Sequence, residues 1–126
     1  MLNALLLALM LVAFEARLIG FTAPATDTPL GSAYTCHGTS QGQPYTLKLA
    51  ITPHGENYRV VWTSEGVMLH AGFGIRDGEH MAVVFATQEG HIGVILFSIT
   101  AGTLRGVWSG GDGTVQTEVC RMGEEV

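Results

Sequence analysis

The stretch MAVVFATQEGHIGVILFSITAGTLRGVW, Met81 to Trp108, carries apolar runs separated by Gln88-Glu89-Gly90 and by Ala101-Gly102. Runs rich in Val, Ile and Phe between glycine-bearing turns read as strands, and links this short join antiparallel neighbours. A three-residue Gln88–Gly90 loop sets Phe85 opposite Gly93 and Met81 opposite Phe97. A two-residue Ala101-Gly102 loop sets Phe97 opposite Gly106 and Ile95 opposite Trp108. Directly opposed residues share a face. Met81, Val83, Phe85, Ile95, Phe97, Ile99, Leu104 and Trp108 therefore gather on one side of a sheet.

The same rhythm runs outward in both directions. Turn signals recur about every ten residues, and no helical period interrupts them after the first 25 residues. The pattern predicts eight strands near 33–38, 44–52, 58–63, 67–75, 81–87, 91–99, 103–109 and 115–121. A three-residue Arg76-Asp77-Gly78 loop would pair Phe73 with Met81 and Leu69 with Phe85, adding Val67, Leu69, Phe73 and Ile75 to the inner face. A four-residue turn over Pro53–Glu56 adds Tyr45, Leu47, Leu49, Ile51, Tyr58, Val60 and Trp62. An up-and-down order of eight strands implies an all-β, antiparallel, eight-stranded barrel, one domain in 126 residues.

Cys36 and Cys120 fall on the first and last of these strands. An even cysteine count in an exported domain reads as one disulfide, Cys36–Cys120, stapling the seam where the barrel closes. Export is expected from residues 1–25, read as a signal peptide: an apolar run from Leu5 to Phe14, then Ala23-Pro24-Ala25. That run is short for a membrane span of about 20 residues, so contact with a membrane is expected only if the leader stays uncleaved. The expected organisation is leader 1–25, linker 26–30, barrel domain 31–122 and tail 123–126, with the protein secreted or periplasmic in a bacterium.

Net charge is −5. Removing the leader takes out Glu15 and Arg17 and leaves 5 Lys and Arg against 10 Asp and Glu. A mildly acidic domain argues against nucleic acid as a partner, which favours basic patches. Of the five histidines, His54 and His80 sit at turns and His37 follows Cys36. His70 is expected outward facing Val84, and His91 near Thr87. No zinc-ligand spacing exists, so no metal is expected, and no cofactor either. Gly110-Gly111-Asp112-Gly113 lacks the lysine and following helix of a phosphate loop. Asp112 with Glu118, or Glu56 with Glu79, would be the carboxylate pairs of a glycosidase, but nothing sets either across a cleft. No serine has a nucleophile-elbow context, so no catalytic residue is expected and the chain reads as non-enzymatic.

The outer face of the middle strands is unusual. Met68, Ala82, Val84, Ala86, Ile92, Val94, Leu96 and Val107 fall together there. An apolar patch on the outside of a barrel usually marks an interface, and Met68, Val84, Ile92, Val94, Leu96 and Val107 are its candidate contacts for self-association or a protein partner; a covering loop, the retained N-terminal segment or a register off by one are the alternatives. The inner aromatics could instead line a ligand cavity, although the inward set is bulky and offers almost no polar group, which favours a filled core.

The ordered set Tyr34-Thr-Cys-His-Gly38, Gly42-Gln-Pro-Tyr45, Gly55, Tyr58, Trp62, Gly72-Phe-Gly74, Gly78, Gly102, Leu104, Gly106, Trp108 and Glu118 is similar to a group of small secreted bacterial proteins of unknown function, over residues 31–120. Leu104-Arg-Gly-Val-Trp108 resembles the L-x-G-x-W strand of avidins and lipocalins, though here it lies near the C-terminus. Tyr34-Thr-Cys36 resembles the opening of periplasmic lysozyme inhibitors, which are small barrels with a disulfide. These likenesses imply a barrel fold and export; none supplies site residues. The expected function is a non-enzymatic binding or interaction module. A secreted hydrolase inhibitor acting through Thr63–Gly66 or Gly110–Gly113, and a carrier of a small apolar ligand inside the barrel, are the alternatives.

Overall fold

The computed structural model describes residues 27–123; the leader and the last three residues of the tail lie outside the described residues. Eight strands follow in order: β1 (Ala33–Ser40), β2 (Gln43–His54), β3 (Asn57–Ser64), β4 (Val67–Asp77), β5 (His80–Thr87), β6 (Ile92–Thr100), β7 (Thr103–Ser109) and β8 (Gln116–Arg121). Each pairs antiparallel with the next, and β1 pairs with β8, so the sheet is a closed barrel without edges. At the seam Cys36 lies directly opposite Cys120, and the two are bridged, 84 positions apart in the chain.

The registers from Met81 to Trp108 hold: Phe85 faces Gly93, Met81 faces Phe97, and Ile95 faces Trp108. Alternation then buries Met81, Val83, Phe85, Ile95, Phe97, Ile99 and Leu104. Leu49 and Ile51 of β2, Val60 and Trp62 of β3, Tyr34 of β1 and the disulfide complete the core. Gly93 makes room for it: a Cβ there would strike the Phe85 ring.

Two turns differ from expectation for one shared reason. In both His54-Gly55-Glu56-Asn57 and Asp77-Gly78-Glu79-His80 the outer residues pair, leaving two-residue Gly-Glu turns. Each glycine has φ of 60° at the first central position, which only glycine occupies freely and which suits the twist of a hairpin. On β2–β3 the expected register is off by two, which preserves faces. On β4–β5 it is off by three, which exchanges them. Phe73 and Ile75 therefore point outward at 52% and 61% exposure, and Val67 is exposed too.

A β-bulge on β4 completes the change. Thr63 pairs with Met68 but Trp62 pairs with His70, so Leu69 is the extra residue. Beyond it His70 faces inward opposite Thr87, where the sequence placed it outward against Val84.

One end of the barrel is closed. Arg76 donates from Nη2 to the Thr28 carbonyl (2.6 Å) and from Nε to that of Gly78 (2.8 Å), and it pairs with Glu79. The Thr28 N–H donates to Glu79 (2.9 Å), and Leu30 packs on the core. Residues 27–32 thus seal the end that carries the Gly-Glu turns. The other end is open.

Candidate functional site

The open end is a cup of about 360 Å³. Two aromatic walls build it. On β3 to β5, Trp62, His70 and Phe85 pack as a triangle of mutually tilted rings with centroid separations of 5.3 to 6.3 Å. On β2 and β7, Tyr45 and Trp108 meet edge to face at 6.5 Å. Leu47, Leu69 and Ile95 line the wall between, with Ser40, Thr87 and His91 among the polar lining groups. The bulge at Leu69 is what lets both Leu69 and His70 contribute from adjacent positions.

Glu118 is the acid of the cup. It projects from β8 on the same face as Cys120 and is only 3% exposed. Tyr45 Oη donates to its Oε1 at 2.9 Å and Trp62 Nε1 to its Oε2 at 3.3 Å. Oε2 also lies 3.5 Å from Sγ of Cys120, a contact without a donor on sulfur because that sulfur is in the disulfide. Burial raises the Glu118 carboxyl above the usual range; the two donated hydrogen bonds oppose that rise without cancelling it. Burial, then the Glu118 charge, drives the Tyr45 phenol well above its ordinary value.

Two polar atoms of the cup are buried without a hydrogen-bond partner: Nδ1 of His70 and Nε1 of Trp108. The Trp108 N–H is near enough to Tyr45 to favour the phenolate slightly, yet its geometry closes no hydrogen bond. Burial lowers the His70 pKa from 6.5 against weaker opposing effects of the Leu69 backbone and Glu89, so the ring is neutral at pH 7. An unpaired buried donor or acceptor costs about 1–3 kcal/mol, and native folds rarely leave one without a reason.

The cup corrects the expectation of an interior with almost no polar group. The barrel is filled at the closed end only. Of the histidines, His70 and His91 both line the cup, contrary to the outward placement of His70; His91 stays exposed, its N–H bonded to Thr87 Oγ1 (3.1 Å). Among the described residues the one cluster with metal-ligand proximity is Cys36, Glu118 and Cys120, and the two sulfurs are bridged rather than thiolate. Asp112 is exposed and accepts from the Thr114 N–H and hydroxyl (3.0 and 2.7 Å), a turn contact. Glu56 and Glu79 belong to the closed-end turns. Among the described residues Glu118 therefore has no partner carboxylate in the cup.

The outer apolar face is present and larger than expected. Phe73 opposes Val84, which opposes Val94; Ile75 opposes Ala82, then Leu96, then Val107. Val84, Ile92, Val94, Leu96, Val107 and Met68 are all exposed, and Phe73 and Ile75 join them.

Sequence reasoning missed Glu118 and His70 as site residues. For Glu118 a signal existed: it lies two residues before Cys120, and period-two alternation puts both on one face. For His70 the signal was hidden by the turn: only the two-residue Gly78-Glu79 turn sets His70 opposite Thr87 and facing inward.

Comparison with family models, with curated proteins and with solved structures returns no match in any of the three.

Proposed function

We propose that the protein is a non-enzymatic binding module of an oxidising, extracytoplasmic compartment, and that the cup takes a small ligand. One observation carries the reading. Two unpartnered buried polar atoms and a buried carboxylate share a cup walled by aromatic rings. That is the composition of a small-molecule site: a mostly apolar concavity with a few polar groups that orient the guest. The disulfide supports the compartment, since such bridges persist where the surroundings are oxidising. A fragment library of mixed charge, screened by ligand-observed NMR against the purified domain, tests the reading. Hits in the tens to hundreds of micromolar are expected, and a library without hits contradicts it.

A second reading rests on the outer face. Its rows from Phe73 and Ile75 to Val94 and Val107 carry no charge, while Arg59 and Arg105 stand at the margins. A second copy laid face to face buries apolar against apolar with no like charges opposed at the centre, as an isologous contact requires. The barrel would then be a dimer with its cups free.

A further inference from the structure

From the cup's charge and ring faces we infer that its ligand is an organic cation, an amine or quaternary ammonium group held among the aromatic rings with Glu118 as counter-ion. This rests on the cup being a ligand site and adds the class of ligand.

The lining sets the sign. Among the described residues Glu118 is its one carboxylate, and no lysine or arginine lines the cup. Of the described cations, Arg76 seals the closed end and Lys48 donates from Nζ to Thr35 Oγ1 at 3.0 Å on the barrel wall. An anion would meet Glu118 with nothing to compensate it. A buried carboxylate without a cation is costly, and a cation beside it recovers part of that cost.

The ring faces act in the same direction. Trp62, Phe85, Tyr45 and Trp108 stand around the cup, and the negative face of an aromatic ring attracts a cation, most strongly for tryptophan. A quaternary ammonium has no proton to donate, so it needs this kind of enclosure. Each carboxylate oxygen of Glu118 accepts one donor, Tyr45 or Trp62, which fixes the group and leaves acceptor capacity on both oxygens.

Proton linkage follows. A cation favours ionised Glu118, so binding should release a proton and tighten as pH rises through the titration of that carboxyl. The other titratable groups of the lining are Tyr45 on β2, His70 on β4 and His91 before β6. Histidine protonation repels a cation as well, so the decisive comparison is made at pH 8, where His70 is neutral.

Choline and 3,3-dimethylbutan-1-ol have the same shape and differ in charge. Titrated into ¹⁵N-labelled protein at pH 8 and followed on the indole resonances of Trp62 and Trp108, choline should bind about tenfold tighter than the alcohol, as a desolvated cation among rings implies. In Glu118→Gln the preference for choline should shrink to what the rings alone supply. Equal or tighter binding of the alcohol by the wild type overturns the cation inference and leaves the cup a site for neutral guests. Failure of choline to move either indole overturns it as well; if library hits also leave both indoles unmoved, the cup reading falls with it. The wild-type pair decides even if Glu118→Gln does not fold.

Discussion

The Tyr45 hydroxyl on β2 donates to Glu118 on β8 at 2.9 Å, across the strand that separates them. Gly38 of β1 makes this possible. It is paired with Tyr45 on one side and Glu118 on the other, and a Cβ there would collide with the Tyr45 ring and lie 2.8 Å from the Thr117 carbonyl. A missing side chain lets a tyrosine reach over its neighbour and tie the seam to the floor of the cup.

Gly38→Ala should therefore cost about 1–3 kcal/mol, as forced overpacking does. Urea unfolding measures it. A loss below half a kilocalorie would mean that the ring moves aside freely and that the contact with Glu118 is dispensable.

Glu118 should leave a pH signature in stability. Its folded pKa lies above the ordinary 4.5, so in the window between them the folded state holds more protons than the unfolded chain. Stability is then greatest below 4.5 and falls as pH rises through the folded value. Glu118→Gln should remove that fall, read as the difference between wild-type and variant unfolding free energies from pH 4 to pH 8. A difference constant with pH would place the carboxyl in an unperturbed environment.

His70 acts in the opposite sense. Its folded pKa is below 6.5, so the unfolded chain takes up the proton first as pH falls. Its contribution is complete above 6.5 and is lost on acidification toward the folded value. The wild type minus His70→Gln difference should shrink below pH 6.5. The two contributions change with pH in opposite senses, so single variants are needed to separate them.

The staple is a separate term. Closing a loop of 84 positions is worth roughly 4–5 kcal/mol in the chain-entropy model, before any native strain. The double variant Cys36→Ala, Cys120→Ala should lose most of that in a denaturant titration. An unchanged midpoint would mean that β1–β8 pairing holds without the bridge.

Much of this barrel is legible in its sequence, and the exceptions have physical causes. The strands from Met81 to Trp108 could be registered because their turns permit few lengths and the alternation is unbroken. β4 could not. Gly78 suits two turn types, and the three-residue choice reverses Phe73 and Ile75, apolar residues that look like core. The same choice turns His70 outward against Val84, and the bulge at Leu69 shifts parity a second time, which keeps Met68 on the outside. The Tyr45–Glu118 contact needs the closed seam, which no neighbouring stretch specifies.

Outward Phe73 and Ile75 strengthen the case for pairing of barrels through that face. Sedimentation velocity at tens of micromolar should find dimers, and Val94→Glu, at a 52% exposed position, should yield monomers with unchanged barrel circular dichroism. A monomeric wild type removes the dimer and leaves the cup untouched.

The cup itself has a built-in reporter. The chain has two tryptophans, Trp62 and Trp108, and both line it. A ¹⁵N–¹H correlation spectrum therefore shows two indole cross-peaks, one on each aromatic wall. Titrating the fragment hits should move both together, with the backbone peaks of Val94 and Leu96 on the outer face still. Hits that shift the outer face and leave both indoles in place would contradict a ligand site in the cup.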